Sequence, residues 1–150
     1  MPLINNQKTN HQLLVKDNIR KKAIDNIIKL ITTNNYAGVF IDFEYIPPET
    51  EKDYTQFIKN LSEKLHSRNK LLYIAVFPKI DISKNITGAY NYSAISEYVD
   101  KITIMTYDKH KGKDESGPIA PIQWVEDNII YSLKYIQAEK IHLGIANYGY

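Results

Sequence analysis

The chain contains no cysteine, which excludes disulfides and thiolate metal sites and leaves its compartment open. It has no apolar run of membrane-spanning length, and its start, Met1-Pro2-Leu3-Ile4-Asn5-Asn6, has no basic segment leading into an apolar one. Neither an export signal nor a membrane anchor is expected. No charge of one sign prevails: 19 basic and 17 acidic residues leave a formal charge of +2, with lysines scattered along the chain. That argues against nucleic acid as the main partner. No glycine-rich phosphate loop follows any strand-like segment, which argues against dinucleotide binding. His11, His66, His110 and His142 show no metal-ligand spacing, so solvated or packing roles are expected for them and neither metal nor cofactor is implied.

What is present suffices for a folded core: 150 residues, 43% hydrophobic and 11% aromatic. One globular unit is the expectation. Ile19, Ala23, Ile24, Ile27, Ile28 and Ile31 recur at helical spacing, which predicts a helix from Asp17 ending near Asn34 and Asn35, with Asp17 or Asn18 as N-cap. Gly38 to Glu44 reads as a strand stopped by Pro47-Pro48, because consecutive prolines cannot continue a ladder. Tyr54, Phe57, Ile58, Leu61 and Leu65 mark a helix after Thr50, and Leu71 to Phe77 a second strand closed by Pro78. A short helix over Tyr92 to Val99 precedes a strand over Ile102 to Tyr107. A longer helix over Pro121 to Ile136, with Pro121 in its first turn, precedes a strand over Ile141 to Ala146.

Strand starts recur about every 30 to 40 residues with helix between, which predicts serial βα construction and a parallel sheet. Continuous apolar runs such as Leu71 to Phe77 suit strands covered on both faces, in a barrel or a doubly wound sheet. The pattern does not choose between them.

Alternation along the first strand gives Gly38, Phe40, Asp42 and Glu44 one face and Val39, Ile41 and Phe43 the other. Two carboxylates therefore share a face at the carboxyl end of a parallel strand, where α/β enzymes hold reacting groups. Their proximity is expected to raise the pKa of one of them and supply a protonated acid near neutral pH. Solvated strand-end charges before a Pro-Pro turn are the alternative reading. Lys109 to Pro118 is a polar, glycine-containing loop long enough to border a site.

Gly38-Val39-Phe40-Ile41-Asp42-Phe43-Glu44 resembles the signature of glycoside hydrolase family 18, nearest to its spore-cortex-lytic branch. The likeness continues in Pro47-Pro48, Tyr54-Thr55-Gln56-Phe57, Ile104-Met105-Thr106-Tyr107-Asp108, Gly117-Pro118-Ile119-Ala120-Pro121 with Trp124, Leu143-Gly144-Ile145 and Tyr148-Gly149-Tyr150. The resemblance implies part of a (β/α)₈ TIM barrel, about strands 3 to 7 with intervening helices, over the single partial domain 1–150. It implies a retaining glycosidase acting beside N-acetylglucosamine in spore-cortex peptidoglycan or chitin-like polymers, without cofactor. Glu44 matches the acid/base position, Asp42 the residue that orients the substrate acetamido group, and Tyr107 its hydrogen-bond partner. Asp108 matches a sugar-contacting carboxylate, and Met105, Tyr45 and Tyr148 are further substrate-binding candidates.

Three positions depart from the family pattern: Ala37 replaces an aspartate, Phe40 an Asp or Asn, and Ala146 a proline. Phe40 removes a polar partner of Asp42 and is expected to dry the site. A carbohydrate-binding pseudoenzyme and an inactive fragment are the alternative functions. An unclosed barrel would leave an open edge, prone to self-association, and an exposed catalytic face, poorly active alone. By resemblance the location is the spore or cell envelope.

Overall fold

In the computed structural model, which describes residues 7–110 and 116–149, helices and strands alternate along the chain. They run α1 (Gln7–Val15), α2 (Asp17–Thr33), β1 (Gly38–Ile41), α3 (Glu51–His66), β2 (Leu71–Val76), α4 (Lys84–Thr87), α5 (Tyr92–Ser96), β3 (Lys101–Ile104), α6 (Ile122–Ser132) and β4 (Ile141–Leu143). The start Met1 to Asn6, loop residues 111–115 and Tyr150 lie outside the described residues. All four strands stand where the hydrophobic pattern puts them.

The sheet is wholly parallel and its order is β1-β2-β3-β4. A doubly wound sheet reverses strand order at a switch point, and four successive neighbours without reversal fit the winding of a barrel.

Helix α3 carries its apolar stripe through Tyr54, Phe57, Ile58, Leu61 and Leu65, all fully buried. These join one core with Ile41, Leu72, Ile74, Val76, Ile102 and Ile104 from the strands. Phe43 lies on that helix-facing side and its ring stacks on Phe57 at 5.4 Å. The opposite face is open: Phe40 and Leu71 are each 43% exposed, and the Tyr73 and His142 rings meet edge to face at 5.7 Å.

Details of the ends differ from expectation. The residue capping α2 is Lys16, without a side-chain bond, while Asn18 Oδ1 accepts from Ile19 N instead. Pro121 precedes α6 as its N-cap and lies outside the first turn. Helices α1 and α4 carried no clear periodic signal. Regular ladder pairing stops at Ile41, Ile104 and Leu143, three residues short of each expected strand end, and the freed segments build the site.

Gly38 is required by close approach of two backbones, since a Cβ there would lie 2.2 Å from the Leu71 carbonyl oxygen. Gly38→Ala is therefore expected to destabilise the fold by about 1–3 kcal/mol through forced separation of β1 and β2. Urea unfolding measures this, and an unchanged midpoint would contradict it.

Candidate active site

Segments beyond three adjacent strands converge at one end of the sheet. Glu44 and Tyr45 follow β1, Phe77 and Pro78 follow β2, and Met105, Tyr107 and Asp108 follow β3. Together with Ile82 and Ile86 they surround a cavity of about 200 Å³. Five of the seven sequence-selected residues therefore line one space. Tyr148 joins them from beyond β4 by donating its hydroxyl to Asp108 Oδ1 at 2.7 Å. Asp42 is outside the lining and half-buried.

The segments are held by side-chain donors and by the last main-chain bonds of the ladders. The Tyr90 hydroxyl donates to the Phe43 carbonyl at 2.6 Å, and Asn10 Nδ2 donates to the Glu44 carbonyl at 2.8 Å. Tyr92 donates to the Phe77 carbonyl at 2.6 Å. Met105 N donates to the Val76 carbonyl and Gly144 N to the Ile104 carbonyl, while Thr106 Oγ1 donates to the Gly144 carbonyl at 3.1 Å. The Tyr107 ring passes so close to Gly144 that a Cβ there would lie 2.8 Å from Cε1.

Two cavity residues adopt left-handed backbone, Tyr45 at φ 54° and Asp108 at φ 60°. Non-glycine residues rarely adopt it, and such positions concentrate where a side chain is aimed for function. Here both follow directly on a candidate reacting group, Glu44 and Tyr107. The Tyr45 ring packs beside Phe77 at 5.7 Å.

Burial raises the Asp42 carboxyl above the ordinary carboxylate range. The cause differs from the expectation of two carboxylates repelling one another: here the principal cause is loss of water. Asp42 Oδ1 is buried without a hydrogen-bond partner, as is the Tyr54 hydroxyl, whose pKa burial and the Asp42 charge both push up. Phe40, two residues earlier on the strand, brings no polar atom to this place.

The sign of the resulting pH effect follows. Between the unfolded and the raised folded pKa the native state holds more protons, so stability is greatest below the unfolded value and falls as pH rises through the folded one. Asp42→Asn is expected to be more stable than the parent at neutral pH, with the gap narrowing on acidification. Thermal unfolding across that range tests it, and a gap independent of pH would contradict it.

The remaining candidates are structural. Trp124 is buried and its Nε1 donates to the Ile80 carbonyl at 2.8 Å, beneath the Lys109 ammonium. His66 bridges Ser62 and Asp100. Among the described residues no group of three or more His, Asp or Glu could hold a metal ion, and no helix is long and apolar enough to cross a membrane. Asn10, Tyr90 and Tyr92 escaped sequence reasoning, because a single polar or aromatic residue in a short or weakly periodic segment carries no signal of the distant carbonyl it will meet.

The sequence profile of Glycosyl hydrolases family 18 matches residues 4–150. An uncharacterized glycosylase of Bacillus subtilis, YvbX, is 34% identical over 133 residues, which cover 87% of this chain and 39% of that protein. The cortical fragment-lytic enzyme of Bacillus subtilis is 27% identical, covering 92% of this chain and 32% of its own length. A crystal structure of a chitinase from Chromobacterium violaceum superposes with a TM-score of 0.90 at 26% identity, over 97% of this chain and 46% of that one. The chain thus spans less than half the length of the proteins it matches.

Proposed function

Because this chain belongs to glycosyl hydrolases family 18 and its four parallel strands are a portion of that family's barrel, we propose that it carries the acid/base strand of a retaining glycosidase. The substrates are polymers containing N-acetylglucosamine, with spore-cortex peptidoglycan ahead of chitin. The observation that carries the reading is the convergence of Glu44, Tyr107 and Asp108 on one cavity from beyond two different strands.

Glu44 gives its proton to the glycosidic oxygen as the C1–O bond breaks. The substrate's own acetamido oxygen forms the new bond to C1, so no protein carboxylate attacks, in keeping with this family's exception to the two-carboxylate scheme. Tyr107 holds that acetamido oxygen at attack distance, and Asp42 stabilises the positive charge of the oxazolinium. Water then adds to C1 as the bond from C1 to the acetamido oxygen breaks, Glu44 takes back a proton from that water, and the configuration is retained. Asp108, Met105, Tyr45 and Tyr148 contact the sugar.

Phe40 and Ala37 favour a second reading, sugar binding without turnover. Likeness to a cortical fragment-lytic enzyme supports the spore or cell envelope as its location. An unclosed barrel would self-associate through its open strand edge.

Digestion of purified cortex peptidoglycan and of chitin oligomers, with products weighed by mass spectrometry, ranks the two substrates. An N-acetylglucosamine thiazoline, which mimics the charge and shape of the oxazolinium, is expected to inhibit turnover competitively and to bind at least about 100-fold more tightly than the sugar itself. Absence of competition at concentrations that inhibit an active relative would count against substrate assistance, and sugar binding without products would favour the second reading.

A further inference from the structure

The carboxylates lie just past the regular pairing of β1, which ends at Ile41 opposite Ile74. Each residue beyond it keeps two soft backbone dihedrals. Two buried side chains act on this stretch from elsewhere in the chain. Tyr90, between α4 and α5, donates to the Phe43 carbonyl at 2.6 Å; Asn10, on α1, donates to the Glu44 carbonyl at 2.8 Å. Both donors are 0% exposed.

Those carbonyls belong to consecutive peptide planes on either side of the Glu44 Cα. Fixing both planes fixes the φ and ψ between them, and so the direction in which the Glu44 side chain leaves the backbone. We propose that Tyr90, with Asn10 as second anchor, is a positioning residue that aims Glu44 at the glycosidic oxygen. The inference rests on the role of Glu44 given above.

Packing suits Tyr90 to this task. Its ring sits edge-on to Tyr54 at 5.6 Å and to the site-wall residue Phe77 at 6.0 Å, so the hydroxyl cannot swing without moving the core. Burial raises its pKa, and the phenol remains a donor throughout the pH range in which a glycosidase is assayed. Since that proton is committed to a carbonyl, Tyr90 acts through Glu44 and not on substrate. A misplacement of about 1 Å at an acid group costs on the order of 10²-fold in rate.

The test exploits leaving groups in the protein at its full natural length. A chitobiose unit leaving from a chitin oligomer needs protonation; a dinitrophenolate leaving from a chitobioside does not. Tyr90→Phe is expected to lower kcat/KM on the oligomer at least about 10-fold and on the dinitrophenyl glycoside less than about 2-fold. Asn10→Ala, a second variant should the first fold poorly, is expected to show the same split. Equal losses on both substrates would mean a merely structural role and would overturn the proposal, as would no loss on either. Glu44→Gln, run alongside, separates the two levels. If it shows the leaving-group split and Tyr90→Phe does not, positioning by Tyr90 is wrong and the acid assignment stands. If Glu44→Gln keeps full oligomer turnover, the acid assignment itself fails and the positioning role with it.

Discussion

Glu44→Gln in the complete-barrel protein is expected to reduce turnover of an N-acetylglucosamine oligomer by about 10²- to 10⁴-fold while affinity for the oligomer stays within about threefold. The amide keeps the volume and most of the polar contacts of the carboxyl, so ground-state binding has little reason to change. It cannot deliver a proton to the departing oxygen, and without that proton a sugar alkoxide is too poor a leaving group. The position of Glu44 in the cavity, beside Tyr107 and Asp108, makes it the acid within reach of a bound sugar in this proposal. Steady-state kinetics paired with calorimetry measure both halves, and unchanged turnover would remove Glu44 from the mechanism.

Asp42→Ala and Tyr107→Phe are expected to lower kcat by about 10²- to 10³-fold each with little change in KM, because their proposed contacts strengthen only as the oxazolinium forms. Tyr107→Phe is the cleaner of the two: the ring that packs against Gly144 is kept and only the hydroxyl goes. Asp42→Ala also removes a carboxyl that burial holds above its usual pKa, so a gain in stability is expected beside the loss in rate. That opposition is the mark of a group kept for function at the expense of the fold. Loss of affinity alone, with kcat preserved, would contradict both roles.

The effect of Phe40 is read from the same pair of measurements. A polar side chain at that position would give Asp42 Oδ1 a neighbour to share, and at present this oxygen has no hydrogen-bond partner.

Much of the fold was legible because its signals are local. Periodicity of 2 and 3.6 located four strands and the major helices, and the buried stripe of α3 is the one that its apolar spacing describes. Element ends were less legible: whether Asp42 to Glu44 or Met105 to Tyr107 stay in the ladder depends on the neighbouring strand, which a one-dimensional pattern does not contain. Helix α1 shows no comparable apolar period, yet it supplies Asn10 to the segment bearing Glu44.

By itself, then, the sequence determined the order of βα units and, through collinear motifs, the family. Both reside in neighbouring residues or in fixed spacings. Tertiary structure fixed the strand order β1-β2-β3-β4 and brought Tyr107 and Asp108 to Glu44 from more than sixty positions away. It also decided the cause of the Asp42 shift, since burial is a property of everything that surrounds a group. The carbonyl anchors Tyr90 and Asn10 belong to the same class: a hydrogen bond between distant segments exists only once packing has put donor and acceptor within reach.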